Sequence, residues 1–282
     1  MKKLGIIVCS TSGMDYLPQE ADIHTLRLTV SFDKKEYVDY TDIKAQDFYE
    51  KMIASPNADI HTSQISAGVF AEKYEELKQK GYEQLLVVTL SSKLSGTYQA
   101  ANLAKEMVPG IEISVFDTKY VSYVEAYSAL VALKLHKNGL KMAAIIEKLT
   151  EIRDNTRVYI LVDTLKYLVK NGRLKATAGF IGTLLKIKPL LHFTKEGTLE
   201  TFEKIRTTAK AQKRLVELFL SDIKDRNVLA FIPYTNNLES AEEIQNEIKQ
   251  HRPDVEVMLV PLTPVVGAHA GPGTLGLGYI SL

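Results

Sequence analysis

The sequence predicts an α/β protein of two domains, an N-terminal parallel α/β/α sandwich and a C-terminal α+β domain with a mixed sheet. Three observations carry this reading. Through the first half, short apolar runs alternate with helix-length segments, the pattern of strands buried on both faces with helices between them. The second half holds two alternating runs joined by Thr194-Lys195-Glu196-Gly197, which reads as a hairpin. The length of 282 residues suits one large domain or two ordinary ones. The expected division is 1–160 and 161–282.

In order along the chain, Leu4 to Val8 is a short apolar run of the buried-strand type, opening into Ser10-Thr11-Ser12-Gly13. Gln84 to Leu90 is a second strand, passing through Ser91-Ser92 into a helix from about Gly96 to Met107. Ile111 to Phe116 is a third, followed by a helix carrying Val124, Leu130, Val131 and Leu135 and another over Leu140 to Ile152. Ligands of such sheets sit beyond the carboxyl ends of the strands. Ser10-Thr11 and Ser91 to Ser95 fall there, and Thr62 is expected on that same edge. Beyond the boundary, Arg157 to Leu165 reads as a strand and Lys166 to Lys170 as a short helix ending near Asn171-Gly172. Ile187 to Phe193 and Thr198 to Ile205 form the hairpin. Thr207 to Ile223 and Leu238 to His251 are amphipathic helices, and Val228 to Ile232, Val255 to Val260 and Leu275 to Ile280 are strands.

Composition excludes several classes. Lys plus Arg total 35 against 34 Asp plus Glu, so nothing pulls the chain generally toward nucleic acid. Cys9 is the single cysteine, so no internal disulfide framework exists, and a reducing cytoplasm is the expected compartment. The first ten residues hold only a very short apolar run, far from a signal sequence, and no apolar stretch is long enough to span a bilayer.

Chemistry is concentrated in short polar stretches: Thr62-Ser63-Gln64-Ile65-Ser66, Ser91 to Thr97, Asn171-Gly172-Arg173 and Gly267 to Gly273. They hold hydroxyls, one Arg, one His and glycines, without a carboxylate pair or a metal cluster. Such an inventory suits holding a small anion by hydrogen bonds. Gly271-Pro272-Gly273-Thr274-Leu275-Gly276 fits a dinucleotide fingerprint by letter, but only residues 277–282 follow it, too few for the required helix and acidic residue. Ser95 lacks the first glycine of a nucleophile elbow. Cys9 reads as a small apolar residue at a strand end as well as a thiol. Ser95-Gly96-Thr97 also reads as a helix cap, Thr62-Ser63 as a turn and cap, and Arg173 as a solvated charge. Arg173 follows a helix end and a glycine, so an exposed, adjustable guanidinium is expected. His269, among small residues, reads as a donor to an anion.

Taken together, these strings resemble the DegV-like proteins, which include the fatty-acid-binding subunits of the bacterial fatty acid kinase. The resemblance runs from about residue 3 to 281. It is carried by Thr62 to Ser66, by Leu90-Ser91-Ser92-Lys93-Leu94-Ser95-Gly96-Thr97-Tyr98-Gln99-Ala100-Ala101, by Asp117-Thr118, and by Asp163 to Leu168 with Asn171-Gly172-Arg173 and Gly267 to Gly273. The serine-rich string is the most specific. Two positions depart from the family pattern: Cys9 stands where aspartate is usual, and Ile65 where proline is usual.

The resemblance implies a non-catalytic carrier holding one long-chain fatty acid, such as hexadecanoate, between its domains. Thr62 and Ser95 would hold the carboxylate. Ser63, Ser92, Gly96, Thr97, Arg173 and His269 would contact the head group or a partner. A separate ATP-dependent kinase subunit would phosphorylate the carboxylate, and the acyl phosphate would feed phospholipid synthesis. Transient contact with a membrane surface fits this role; no cofactor and no metal is called for. Candidate tail lining is Phe180, Ile181, Leu184, Leu185, Ile187, Leu190 and Leu191, with Val265 and Val266. Two other classes stay open: a hydrolase or small-molecule kinase, the former using Ser95 and His269, and a lipid-sensing regulatory module.

Overall fold

A computed structural model describes residues 2–175 and 187–282. The candidate lining residues Phe180, Ile181, Leu184 and Leu185 lie outside the described residues. β1 (Leu4–Cys9) opens the chain, followed by three short strands, β2 (Ile23–Leu26), β3 (Thr29–Phe32) and β4 (Lys35–Val38). Next come α1 (Ala45–Ala54), β5 (Ile60–Ser63), α2 (Ala67–Gln79), β6 (Gln84–Thr89) and α3 (Thr97–Lys105). β7 (Glu112–Asp117), α4 (Tyr123–Lys137) and α5 (Met142–Asp154) complete the first half.

β2, β1, β6 and β7 form a four-stranded sheet in that order, with every pairing parallel. β1 is buried along its whole length, which explains its unbroken apolar run. Its alternation decides the two layers. Ile6 and Val8 pack with Ala126, Ala129 and Ala132 of α4 and with Ile145 and Leu149 of α5. Ile7 and Cys9 point the other way, toward Phe70 and Tyr74 of α2 and Ala101 and Ala104 of α3. The expected parallel α/β/α sandwich is therefore present.

The second half runs β8 (Thr156–Leu161), α6 (Lys166–Lys170), β9 (Lys188–Phe193), β10 (Leu199–Ile205) and α7 (Thr208–Asp222). It continues through β11 (Val228–Tyr234), α8 (Leu238–His251), β12 (Glu256–Pro261), α9 (Pro264–Ala270) and β13 (Leu275–Ser281). These strands make a mixed six-stranded sheet ordered β10-β9-β8-β13-β11-β12, parallel only between β11 and β12. One face is covered by α7 and α8, whose buried residues recur at helical spacing (Ala211, Leu215 and Phe219; Ala241, Ile244 and Ile248). The other face meets the first half, and a single apolar cluster runs from Ile6 and Leu86 through Val158 and Leu191 to Phe231.

Four readings change. β8 crosses the expected 160/161 boundary and pairs along its length with β13, so that division would cut a strand; we propose Asn155 instead. The strand read to Leu165 ends at Leu161. Thr62 and Ser63 are not a turn: they end β5, which pairs with β3 at one edge of a separate antiparallel sheet ordered β4-β3-β5. Thr62 thus enters from outside the parallel sheet, while Ser66 is the cap, its hydroxyl accepting from the Val69 amide at 3.3 Å. The Gly267 to Gly273 stretch is largely α9, with Pro264 in its first turn. α9 packs against α6 of its own half and reaches across to α1, β3 and β5, and Tyr49 of α1 donates to Leu262 O at 2.9 Å. Asp39, fully buried, faces Ser10, Thr263 and the Val265 amide at the start of α9, and burial lifts its pKa to about 6.

Candidate functional site

Between the halves lies a cavity of about 240 Å³. Its floor is the six-stranded sheet, read at every second residue. Val158, Ile160 and Val162, Leu191 and Phe193, and Phe231 and Pro233 line the cavity. Their neighbours Tyr159, Leu161, Leu190, Ala230 and Ile232 point to the opposite core under α7 and α8. Of the expected lining, Leu191, Val265 and Val266 are in the wall, whereas Leu190 faces away. The strand period separates these two adjacent leucines. Gly278 and Gly276 let Phe231 and Pro233 lie across β13, since added Cβ atoms would meet them at 2.5 and 2.6 Å. The roof comes from Leu28, Leu90, Leu94 and Val121 of the first half.

One part of the wall is polar. Thr62, Gln64, Ser95, Arg173 and His269 all line the cavity, though they come from four separate stretches of the chain. Thr62 Oγ1 lies 2.8 Å from His269 Nε2. Ser95 Oγ lies 2.9 Å from Thr97 Oγ1 and accepts from the Thr97 amide at 3.3 Å. Arg173 donates from Nε to Leu94 O at 3.0 Å and from a terminal nitrogen to Asn171 O at 2.6 Å. Asn171 in turn donates to Ala268 O at 3.2 Å, tying the Arg173 loop to α9. Arg173 is half-buried rather than solvated, and burial lowers its guanidinium pKa. A partly dehydrated cation beside an apolar cavity favours an anionic ligand.

Burial, reinforced by the charges of Arg173 and His61, lowers the His269 pKa to about 3. The ring is therefore neutral at physiological pH, and the expected donation to an anion is that of a neutral imidazole. Its Nδ1 is buried with no hydrogen-bond partner among the described residues. For Thr62 to direct its proton at a ligand, His269 must carry hydrogen on Nε2 and donate to the Thr62 oxygen. His269 is paired with Thr62 and not with Ser95, whose hydroxyl is engaged by Thr97, so no serine–histidine dyad is assembled.

The remaining candidates lie around this group. Ser63 alternates away from Thr62 and is exposed. Ser92 is half-buried, its amide donating to Asp117 Oδ1 at 3.2 Å. Thr97 is fully buried at the start of α3, and Gly96 lies beneath the Gln64 side chain. Gln64 was missed as a wall residue; its place two positions after Thr62 was the only available signal. Ser91 braces the two halves, donating to Gly197 O at 2.7 Å.

Behind Thr11, which also lines the cavity, Glu125 is fully buried and accepts from the Thr11 hydroxyl at 2.8 and 3.1 Å. Burial raises its pKa well above the usual carboxyl range. Burial likewise raises the Cys9 thiol, which makes it an inert core group. Among the described residues no group of three His, Cys, Asp or Glu could hold a metal, and no helix is long and apolar enough to cross a membrane. Gly271 and Gly273 lie between α9 and a strand, not before a helix, which removes the dinucleotide fingerprint.

Known proteins match this architecture throughout. The model of the DegV family, described as an uncharacterised protein family, matches residues 3–282. A DegV domain-containing protein of Halalkalibacterium halodurans is 36% identical over 281 residues, covering 99% of each chain. DegV of Bacillus subtilis, described as a fatty acid binding protein, superposes with a TM-score of 0.89 at 34% identity over 100% of both chains. A fatty acid binding DegV family protein of Streptococcus agalactiae gives 0.91 at 28% identity over 99% of both. With a family model and a relative both matched along essentially its full length, this chain belongs to the DegV family.

Proposed function

We propose that this protein carries one long-chain fatty acid between its two halves, with the carboxylate held by Thr62 and Ser95. A separate ATP-dependent kinase then converts that carboxylate to an acyl phosphate for phospholipid synthesis. The observation that carries the reading is one apolar cavity whose polar wall gathers two hydroxyls, a neutral histidine and one half-buried arginine. Burying about 15 methylenes at about 0.8 kcal/mol each offers at most about 12 kcal/mol. Association costs several kcal/mol or more, so useful affinity remains. The head group contributes specificity, because a carboxylate taken from water without donors is costly. The fatty acid binding recorded for the B. subtilis and S. agalactiae relatives supports the same ligand class. The kinase step and transient contact with a membrane surface rest on the family resemblance, and a cytoplasmic location on the single cysteine.

In this reading the chain alone performs no chemistry. Native mass spectrometry of the purified protein should find a C14 to C18 acid at one per chain. Incubation with ATP, magnesium and fatty acid should give acyl phosphate only after a kinase subunit is added. An empty protein that takes up no fatty acid, or acyl phosphate made by the isolated chain, would overturn it.

A further inference from the structure

Gln64 lines the same cavity as Thr62 and Ser95, and its side-chain amide rests against Gly96. A Cβ added to Gly96 would stand 2.3 Å from Gln64 Oε1, 3.0 Å from Cδ and 3.1 Å from Nε2. Gly96 has φ −74° and ψ 4°, a backbone conformation open to ordinary L residues. The glycine is therefore needed here for room and not for conformational freedom. The room it leaves is filled by the amide of Gln64, an exposed residue whose side chain hydrogen-bonds to none of the described residues.

That unused amide faces a shortage. A carboxylate offers about four acceptor positions, whereas each hydroxyl carries a single proton. Thr62 and Ser95 together fill two at most, so positions remain for the Arg173 guanidinium and for a further donor. A Gln side-chain nitrogen brings two further N–H donors on a stem that reaches from the end of β5 to the start of α3.

We infer that Gln64 is a third head-group ligand, seated in the notch at Gly96, and that it makes the site prefer an ionised carboxylic acid to the corresponding alcohol. The inference rests on the fatty-acid reading above and adds a residue to it. Charge-assisted hydrogen bonds are roughly twice as strong as neutral ones, so the preference follows from what the amide donates to.

The test measures binding of palmitate and of hexadecanol to the full chain at pH 8. Gln64→Ala should weaken palmitate about tenfold, the effect of losing one hydrogen bond to a charged group, and leave hexadecanol nearly unchanged. Gln64→Glu, nearly the same shape but bearing an anion that only accepts, should weaken palmitate further while still holding hexadecanol. Gly96→Ala should weaken palmitate in the parent protein and add nothing in the Gln64→Ala background, since both act through the same amide. Retained hexadecanol binding reports that each variant is folded with its tail slot intact. Equal losses from Gly96→Ala in both backgrounds, or parental palmitate affinity in Gln64→Glu, would overturn the Gln64 assignment alone. If the parent protein binds neither probe, the fatty-acid reading falls, and this one with it.

Discussion

Thr62 Oγ1 and His269 Nε2 meet at 2.8 Å across 207 positions of sequence, joining the end of a first-half strand to a second-half helix. The pair fixes a direction for a hydroxyl proton. With the imidazole neutral and donating, the Thr62 proton is free to point into the cavity, where Ser95 supplies the other hydroxyl. Replacing both, Thr62→Ala with Ser95→Ala, should cost roughly 1.5–3 kcal/mol per lost charged hydrogen bond. Titration calorimetry with oleate and palmitate checks this. Unchanged affinity in the double variant would remove both residues from the head-group site.

The same pair predicts how the site responds to pH. Unfolded histidine titrates near 6.5, whereas His269 in the fold titrates at about 3. Between those values the unfolded chain binds the extra proton, so the His269 contribution to stability falls as pH drops. The His269 ring resonance should stay at its neutral position from pH 8 down to 5. Movement with a midpoint near 6.5 would show a solvated ring instead.

Asp39 works in the opposite sense. Burial holds its folded pKa at about 6, above the ordinary carboxylate value, so the folded chain keeps a proton that the unfolded chain loses. Its contribution is lost as pH rises through about 4 to 6. Asp39→Asn, which cannot ionise, should gain melting temperature over the parent between pH 4 and 8, by an amount corresponding to a few kcal/mol or less. Thermal scans across that range should show the gap widening with pH; a constant gap would contradict the assignment.

Arg173 should serve the head group. Arg173→Ala removes a half-buried cation from the cavity wall and also its tether to Leu94. Palmitate should weaken by about an order of magnitude, with hexadecanol affected less. Arg173→Lys should restore only part of the loss, because a lysine ammonium lacks the planar fork that reaches both Leu94 O and Asn171 O. Full palmitate affinity in Arg173→Ala would return the residue to a purely external role.

Gly267 tests the seat of α9. An added Cβ there would meet Tyr49 Oη at 2.3 Å, so Gly267→Ala should destabilise by about 1–3 kcal/mol as α1 and α9 are pushed apart. Because α9 carries Val265, Val266 and His269, the same variant should lose fatty acid. Chemical denaturation and native mass spectrometry read the two effects separately.

How much of this was legible in the sequence depended on length and pattern. The long elements were clear: α8 has the bounds Leu238–His251 read from its apolar spacing, and the β9–β10 hairpin lies where its turn placed it. The strands β2 to β5 were missed because each is only four residues long and mixes polar with apolar side chains, leaving too few periods to count. α9 was hard to see because it is short and carries Gly267, a poor helix former that here makes room for Tyr49. The hydroxyl strings identified the polar wall, yet not its partners. Gln64 and the alternation of Leu190 with Leu191 are consequences of tertiary placement, which no local window contains.

The order of strands has a consequence for biosynthesis. β13 lies between β8 and β11, yet it follows every other strand of that sheet along the chain. Until residues 275–281 leave the ribosome, β8 and β11 face an empty lane, and the cavity has no continuous floor. On the proposed reading, lipid uptake has to follow the emergence of β13, and a product truncated before Leu275 would present a pair of open sheet edges for quality control to remove.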